Sequence, residues 1–383
     1  MSSTVSTTPV PPHGQPSLHA VQVLGKGGSG SGVHVRSLSA GLVARGLRVT
    51  VCGPRSAEHG YGFTGAGARF TALDALTDAG SVAALRAASR GAELVHAHGL
   101  RSGLLAAMAL HGRRVPLIVT WHTTVDTDGA RGPVVRLMER KVARTASIVL
   151  GASSDLVERA RARGARDARL APVAVPAPRS GGAADAADDG EEWKARAELG
   201  VMERPLLVTV GRLETAGLDP LLDAARRWRA LDPQPVLLVA GEGPDRGALQ
   251  RRIAAEGLPV RLLGRRDDVP GLLAAADVAV LSSRWEARSL LAQEALHAGV
   301  PLVATAVGGV PELVGDAAEL VPYGDPAALA DAVTGLLADP ARRMALAAAG
   351  RARTAGWPTE DDTVGHVLSV YDELVQTFWC QGG

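Results

Sequence analysis

Two carboxylates, Glu286 and Glu294, stand eight positions apart in the stretch Ser283–Val314, SRWEARSLLAQEALHAGVPLVATAVGGVPELV. Ser289 suits the N-cap of the apolar-rich segment LLAQEALHA, Gly299 its C-terminal stop, and Pro301 lies just beyond. The start of that helix, at Ser289, Leu290 and Leu291, offers unpaired backbone N–H groups and the positive end of the helix dipole, which together attract an anion. Glu286 lies just ahead of that position and Glu294 further along the helix. A carboxylate accepts paired sugar or ribose hydroxyls. An anion site flanked by two hydroxyl-binding carboxylates describes a nucleotide sugar. The spacing alone fits a surface helix with two solvated glutamates equally well.

Histidines form the second group. His96 and His98 lie in the strand candidate AELVHAHG, and Trp121-His122 close the strand candidate VPLIVTWHTTV. In open parallel sheets ligands bind beyond the C-terminal ends of strands, so both clusters fall where a site belongs. A third feature is the glycine-rich GKGGSGSG after LHAVQVLG (Leu18–Gly25). Gly25, Gly27 and Gly30 match G-x-G-x-x-G. The next strand, however, ends in Cys52-Gly53-Pro54-Arg55, where a dinucleotide site wants an acid for the ribose. A flexible loop in which Gly27, Gly28 and Gly32 let backbone approach a ligand fits better. Asp126-Thr127-Asp128 has the form of a D-x-D metal motif but reads as a solvated loop, and no metal is expected.

The elements that must hold these residues alternate strand and helix along the whole chain, with a Gly25-to-Gly32 turn opening the first unit and RPLLVTVGRLE (Arg204–Glu214) the second. The implied class is α/β, with two Rossmann-like parallel sheets. At 383 residues there is length for two cores. Residues 1–17, rich in Ser, Thr and Pro, read as a disordered leader. Residues 18–176 form one domain, 177–192 a Pro/Gly/Ala/Asp-rich linker, and 193–356 a second domain. After Trp357-Pro358, residues 357–383 form a helix crossing back to the first.

Net charge is +1, with no basic run interleaved with aromatics, which argues against nucleic acid as a partner. Two distant cysteines, Cys52 and Cys380, suggest neither a disulfide framework nor a zinc site and suit a reducing cytoplasm. No segment has the length and apolarity of a membrane span. The basic stretch Arg136–Arg144 reads as a solvated face, with peripheral contact to the inner face of a membrane as the alternative.

Four segments in order, VGRL, AGEGP, LLGRRDDVP and the E-x7-E stretch followed by GVPE, resemble glycosyltransferase family 4 from about Leu18 to Leu374. The resemblance implies a GT-B fold, with two Rossmann-like domains facing across a cleft. It also implies a retaining, metal-independent transfer of a hexose-type sugar from a UDP- or GDP-linked donor to a hydroxyl acceptor: a small molecule, lipid or glycan. Glu286 would meet the donor sugar and Glu294 the ribose. His122 would act near the anomeric centre and Arg212 on the diphosphate. Gly27, Gly28, Gly241, Gly264, Asp268 and Val269 join Ser289–Leu291 on the donor, with His98 and Gly32 on the acceptor side. No enzymic nucleophile and no cofactor is implied. One departure stands out: where the family follows VGRL with Lys-Gly, this chain has Ala216-Gly217, and no lysine occurs after Lys194. Arg284 and Arg288 are the candidates to replace that charge. A homologue that binds nucleotide sugar or a partner with little turnover is the alternative.

Overall fold

The computed structural model describes residues 18–25, 29–74, 78–125, 132–171, 173–174 and 189–380. The leader, Gly27-Gly28 and Asp126-Thr127-Asp128 lie outside these.

The first half winds as β1 (His19–Leu24), α1 (Ser29–Ala44), β2 (Arg48–Gly53), α2 (Arg55–Tyr61), β3 (Arg69–Ala72), α3 (Ala79–Ala88) and β4 (Leu94–His98), followed by α4 (Leu100–Ala109), β5 (Leu117–Trp121), α5 (Gly132–Thr145), β6 (Ile148–Gly151), α6 (Ser154–Ala162) and β7 (Ala168–Leu170). The second half runs α7 (Asp189–Glu198), β8 (Leu206–Val210), α8 (Thr215–Trp228), β9 (Val236–Ala240), α9 (Arg246–Glu256), β10 (Val260–Gly264), α10 (Val269–Ala274) and β11 (Val278–Leu281). It continues through α11 (Leu290–Ala298), β12 (Leu302–Thr305), α12 (Val310–Val314), β13 (Glu319–Val321), α13 (Pro326–Ala338), α14 (Pro340–Ala355) and α15 (Glu360–Cys380).

Every strand pairing is parallel. The sheet orders are β3-β2-β1-β4-β5-β6-β7 and β10-β9-β8-β11-β12-β13. Strands such as VLLVA in β9 and LIVTW in β5 are buried along their whole length, because helices cover both sheet faces. In each sheet the strand order reverses direction once, between β1 and β4 and between β8 and β11. These are the switch points where a crevice opens beyond the strand ends.

The last helix belongs to the first sheet. Val364, Val367, Tyr371 and Leu374 recur at helical spacing, are buried, and pack with Leu38 and Leu42 of α1. Gly41 permits the approach, since a Cβ there would lie 2.5 Å from a Val364 methyl. Two details differ from the sequence reading. The glycine-rich stretch is helical from Ser29, so Gly30 and Gly32 belong to α1. The 177–192 linker gives way to helix at Asp189, where α7 begins.

Candidate active site

The two switch points face each other. Between them lie two adjoining cavities of about 660 and 630 Å³, which share Thr123, Val210, Gly211, Trp285 and Glu286. The larger also meets Arg159, Arg212 and Arg284. The other is bordered by His34, His98 and His122 from the first domain and by Val269, Ser289–Leu291 and Glu294 from the second.

Local chemistry builds the second-domain wall. The Ser289 side chain accepts from Ala292 N–H, and Gly299 ends α11 in the left-handed region. The loop ahead of this helix is clamped by the Gly308-Gly309 turn, whose Gly309 N–H donates to the Glu286 carbonyl at 2.8 Å. A Cβ on Gly308 would fall 2.2 Å from that same carbonyl oxygen, so only glycine, at φ +53°, fits there. Glu286 accepts from Ser283 Oγ at 2.9 Å. Burial raises the carboxyls of both Glu286 and Glu294 above the ordinary glutamate range, with the Ser283 bond partly offsetting the shift at Glu286.

The first-domain wall is imidazole. β4 alternates, so His96 and His98 point to one sheet face, and the neighbouring Gln22 and Thr120 share it. His98 is the last residue of β4 and His122 the first after β5, and His98 Nδ1 lies 3.1 Å from His122 Nε2. His34 enters from α1, with its ring centroid 5.7 Å from that of His98 and 5.3 Å from that of His122. Burial pushes His34 down to about 4 and lowers His98 and His122 well below the ordinary histidine value, with neighbouring imidazoles adding to it. All three are therefore neutral at pH 7. Among the described residues they are the group whose side chains could hold a metal ion, their ligating atoms all lying within 4.8 Å of one another.

The expected site residues divide. His98, His122, Glu286, Ser289, Leu290, Leu291, Glu294, Val269 and Arg212 border the cleft. Gly241, Gly264 and Asp268 are not among the residues bordering either cavity, and each has a local contact. Gly241 is required because a Cβ there would sit 1.8 Å from the Gly211 carbonyl oxygen. Gly264 accepts from Gly241 N–H at 2.8 Å and takes φ +78°. Asp268 occupies the exposed N-cap position of α10, 3.2 Å from Arg266. Gly32 packs on the Tyr61 ring, where a Cβ would come within 2.1 Å, and borders a separate cavity of about 190 Å³ with Gly25 and Pro54.

The two candidates for the missing charge part company. Arg284 borders the larger cavity beside Arg212. Arg288 borders the other cavity and also reaches the crossing between domains: its Nε donates to the Val173 carbonyl at 3.1 Å, and its guanidinium lies 5.6 Å from the Trp357 ring centroid. His34, Thr123 and Trp285 were not legible in advance. A histidine inside an apolar helix and a tryptophan beside Glu286 were the only signals.

Comparison with known proteins agrees with this architecture. Residues 29–176 match the family described as glycosyl transferase 4-like domain, and residues 204–339 match glycosyl transferases group 1. The chain is 34% identical over 317 residues to the D-inositol 3-phosphate glycosyltransferase of Salinispora tropica, covering 74% of this chain and 64% of that one. It is 32% identical to the enzyme of the same name from Salinispora arenicola, covering 76% and 71%. It is also 31% identical to the alpha-D-kanosaminyltransferase of Streptomyces kanamyceticus, covering 66% and 70%. Among solved structures, Anabaena HepE with UDP and glucose superposes with a TM-score of 0.81 at 19% identity, covering 93% of this chain and 100% of that one. The lipopolysaccharide glycosyltransferase WaaG gives 0.69 at 17% identity, covering 93% and 99%. Two parallel sheets facing across a cleft, matched in both halves by glycosyl transferase families, establish this chain as a member of the group 1, glycosyltransferase 4-like family with the GT-B fold.

Proposed function

We propose that the chain transfers a hexose-type sugar from a UDP- or GDP-linked donor to a hydroxyl acceptor, with retention of configuration and without a metal. The observation that carries this reading is the meeting of Glu286, the start of α11 and Glu294 with His122 around one cavity. Glu294 and Val269 take the nucleoside end, and the N–H groups of Leu290 and Leu291 the diphosphate. Glu286 and His122 take the sugar. As the sugar–phosphate bond breaks, positive charge grows on the sugar ring and negative charge on the diphosphate. The helix start, Arg212 and Arg284 are the groups able to stabilise that anion. The acceptor oxygen bonds the anomeric carbon, and its proton leaves to a diphosphate oxygen. No side-chain nucleophile and no cofactor enter this scheme, in which the three imidazoles serve as hydrogen-bonding groups.

The relatives named for D-inositol 3-phosphate and for kanosamine make a phosphorylated polyol and an amino-sugar donor the first substrates to try. The same reading puts the enzyme in the cytoplasm. No helix among the described residues is long and apolar enough to cross a membrane, and the exposed Val134 and Leu137 beside Arg140 and Lys141 on α5 offer a face for peripheral contact.

A panel of UDP- and GDP-sugars, read by thermal shift and by product formation, tests the assignment. Stabilisation by one nucleotide sugar with transfer supports it. Stabilisation without transfer, together with a rate raised by Ala216→Lys, would favour the second reading: a homologue weakened by loss of the donor-phosphate lysine. No response to any nucleotide sugar would sink both.

A further inference from the structure

A row of polar side chains runs from the last helix to the cleft through an otherwise apolar core. Gln22 Nε2 donates to Tyr371 Oη at 2.8 Å. The Gln22 amide oxygen, 2.8 Å from His98 Nε2, can only accept, so His98 carries its proton on Nε2. His98 Nδ1 is then bare and accepts from His122 Nε2–H at 3.1 Å. On the other side the Tyr371 hydroxyl, having accepted from Gln22, gives its own proton to His96 Nδ1 at 2.7 Å. His96 Nε2–H ends the row on Thr120 Oγ1 at 2.6 Å. Gln22, His96 and Tyr371 are each 0% exposed.

Burying so many polar groups among Val, Leu and Ile costs free energy that an apolar set of the same shape would avoid. Their polarity runs one way, each group donating to the next from His122 at the cavity inward to Thr120. We propose that Gln22 and Tyr371 are positioning residues for His122: the row holds His122 with its proton on Nε2, leaving Nδ1 as the acceptor for a substrate hydroxyl. The role of His122 in this proposal rests on the functional reading above. Tyr371 rides on α15, which follows the crossing at Trp357, so docking of this helix on the first domain completes the histidine wall. The other titratable groups facing the pair are His34 from α1, His96 from β4 and Glu286 across the cavity. Burial keeps the imidazoles neutral, as the row requires.

The test is nitrogen-15 NMR of the imidazoles with steady-state kinetics on the full chain and on Gln22→Met, Gln22→Glu and Tyr371→Phe. The wild type should show His98 and His122 protonated on Nε2. Gln22→Met fills the same space without a hydrogen bond; it should mix the tautomers and raise the donor KM about tenfold, the loss of one well-oriented hydrogen bond. Gln22→Glu keeps an acceptor for His98 Nε2–H. It should keep the tautomer and a near-normal KM while moving the acid limb of the pH–rate profile upward, because a carboxylate favours the charged imidazole. Tyr371→Phe removes one oxygen, lets the Gln22 amide turn, and reads the same signals should Gln22→Met fail to fold. Unchanged tautomers in an active Gln22→Met or Tyr371→Phe variant would overturn the row's role, as would altered tautomers in either with donor KM and pH profile untouched. A wild type that turns over no nucleotide sugar would instead overturn the functional reading and the role of His122 with it.

Discussion

Trp285 donates its indole N–H to Asp155 Oδ2 at 3.0 Å, joining the loop that carries Glu286 to the first turn of α6 in the other domain. Beside it, Ser154 N–H donates to Glu312 Oε2 at 3.0 Å, so a carboxylate from α12 caps the positive end of α6 across the interface. Gly309 packs on Ser153 so closely that a Cβ would lie 2.6 Å from the serine Cβ. The cleft is therefore set by contacts made directly beside its carboxylates. Asp155→Ala leaves the Trp285 N–H without its partner and should cost on the order of 1–3 kcal/mol of stability, together with a raised donor KM. In a double-mutant cycle with Trp285→Phe, measured by urea denaturation, the two losses should fall short of adding.

Glu286 sets activity against stability. Its carboxyl is raised in the folded chain by burial, so the unfolded chain ionises first, near pH 4.3. Between that value and the higher folded one the native state binds more protons, and stability falls as pH rises through this window. Glu286→Gln removes that loss. The variant should melt no lower than the wild type at pH 7 while losing about a hundredfold or more in transfer, which calorimetry and a product assay will show.

The histidines give the opposite slope. Unfolded, they titrate near 6.5. Folded, His34 is pushed down to about 4 and His96 to about 3 by burial, with the nearby imidazole of His34 lowering His96 further. Their stabilising effect is present above pH 6.5 and is lost as pH falls through the folded values, because the unfolded state binds more protons in between. Denaturation midpoints should fall from pH 6.5 towards 4. His34→Gln should flatten the slope by about 1.4 kcal/mol per pH unit, one proton's worth.

Arg284 and Arg288 should separate cleanly in kinetics. Arg284 shares its cavity with Arg212, so Arg284→Ala should lower kcat by about 10- to 100-fold with little change in melting temperature. Arg288, on the wall of the other cavity, binds the Val173 carbonyl and sits over the Trp357 ring, 5.6 Å from its centroid, at the crossing between domains. Arg288→Ala should mainly lower the melting temperature, and Arg288→Lys should not restore it, because an ammonium lacks the Nε donor that binds the Val173 carbonyl while the guanidinium head lies over Trp357. Equal losses of kcat in both alanine variants would contradict this division.

The sequence by itself determined what local physics controls. Strand–helix alternation, the Ser289 cap and the Gly299 stop were legible because a cap or a turn depends on neighbours a few residues away. Glu286, Glu294, His98 and His122 were legible as candidates because strand ends and helix starts are where such sheets expose chemistry. Tertiary structure decided the rest. Gly241 and Gly264 look like ligand-facing glycines in the sequence; only the fold shows that a Cβ on Gly241 would strike the Gly211 carbonyl and that Gly264 accepts from Gly241 N–H. Arg288 reads in the sequence as a cation beside Glu286; only the fold shows that it borders the cavity and binds the Val173 carbonyl at the domain crossing as well. Gln22 and Tyr371, 349 positions apart, meet only because β1 lies beside β4 and α15 returns across α1. Cap and turn signals act over one helical turn, whereas these contacts depend on strand order and helix docking, which no local pattern encodes.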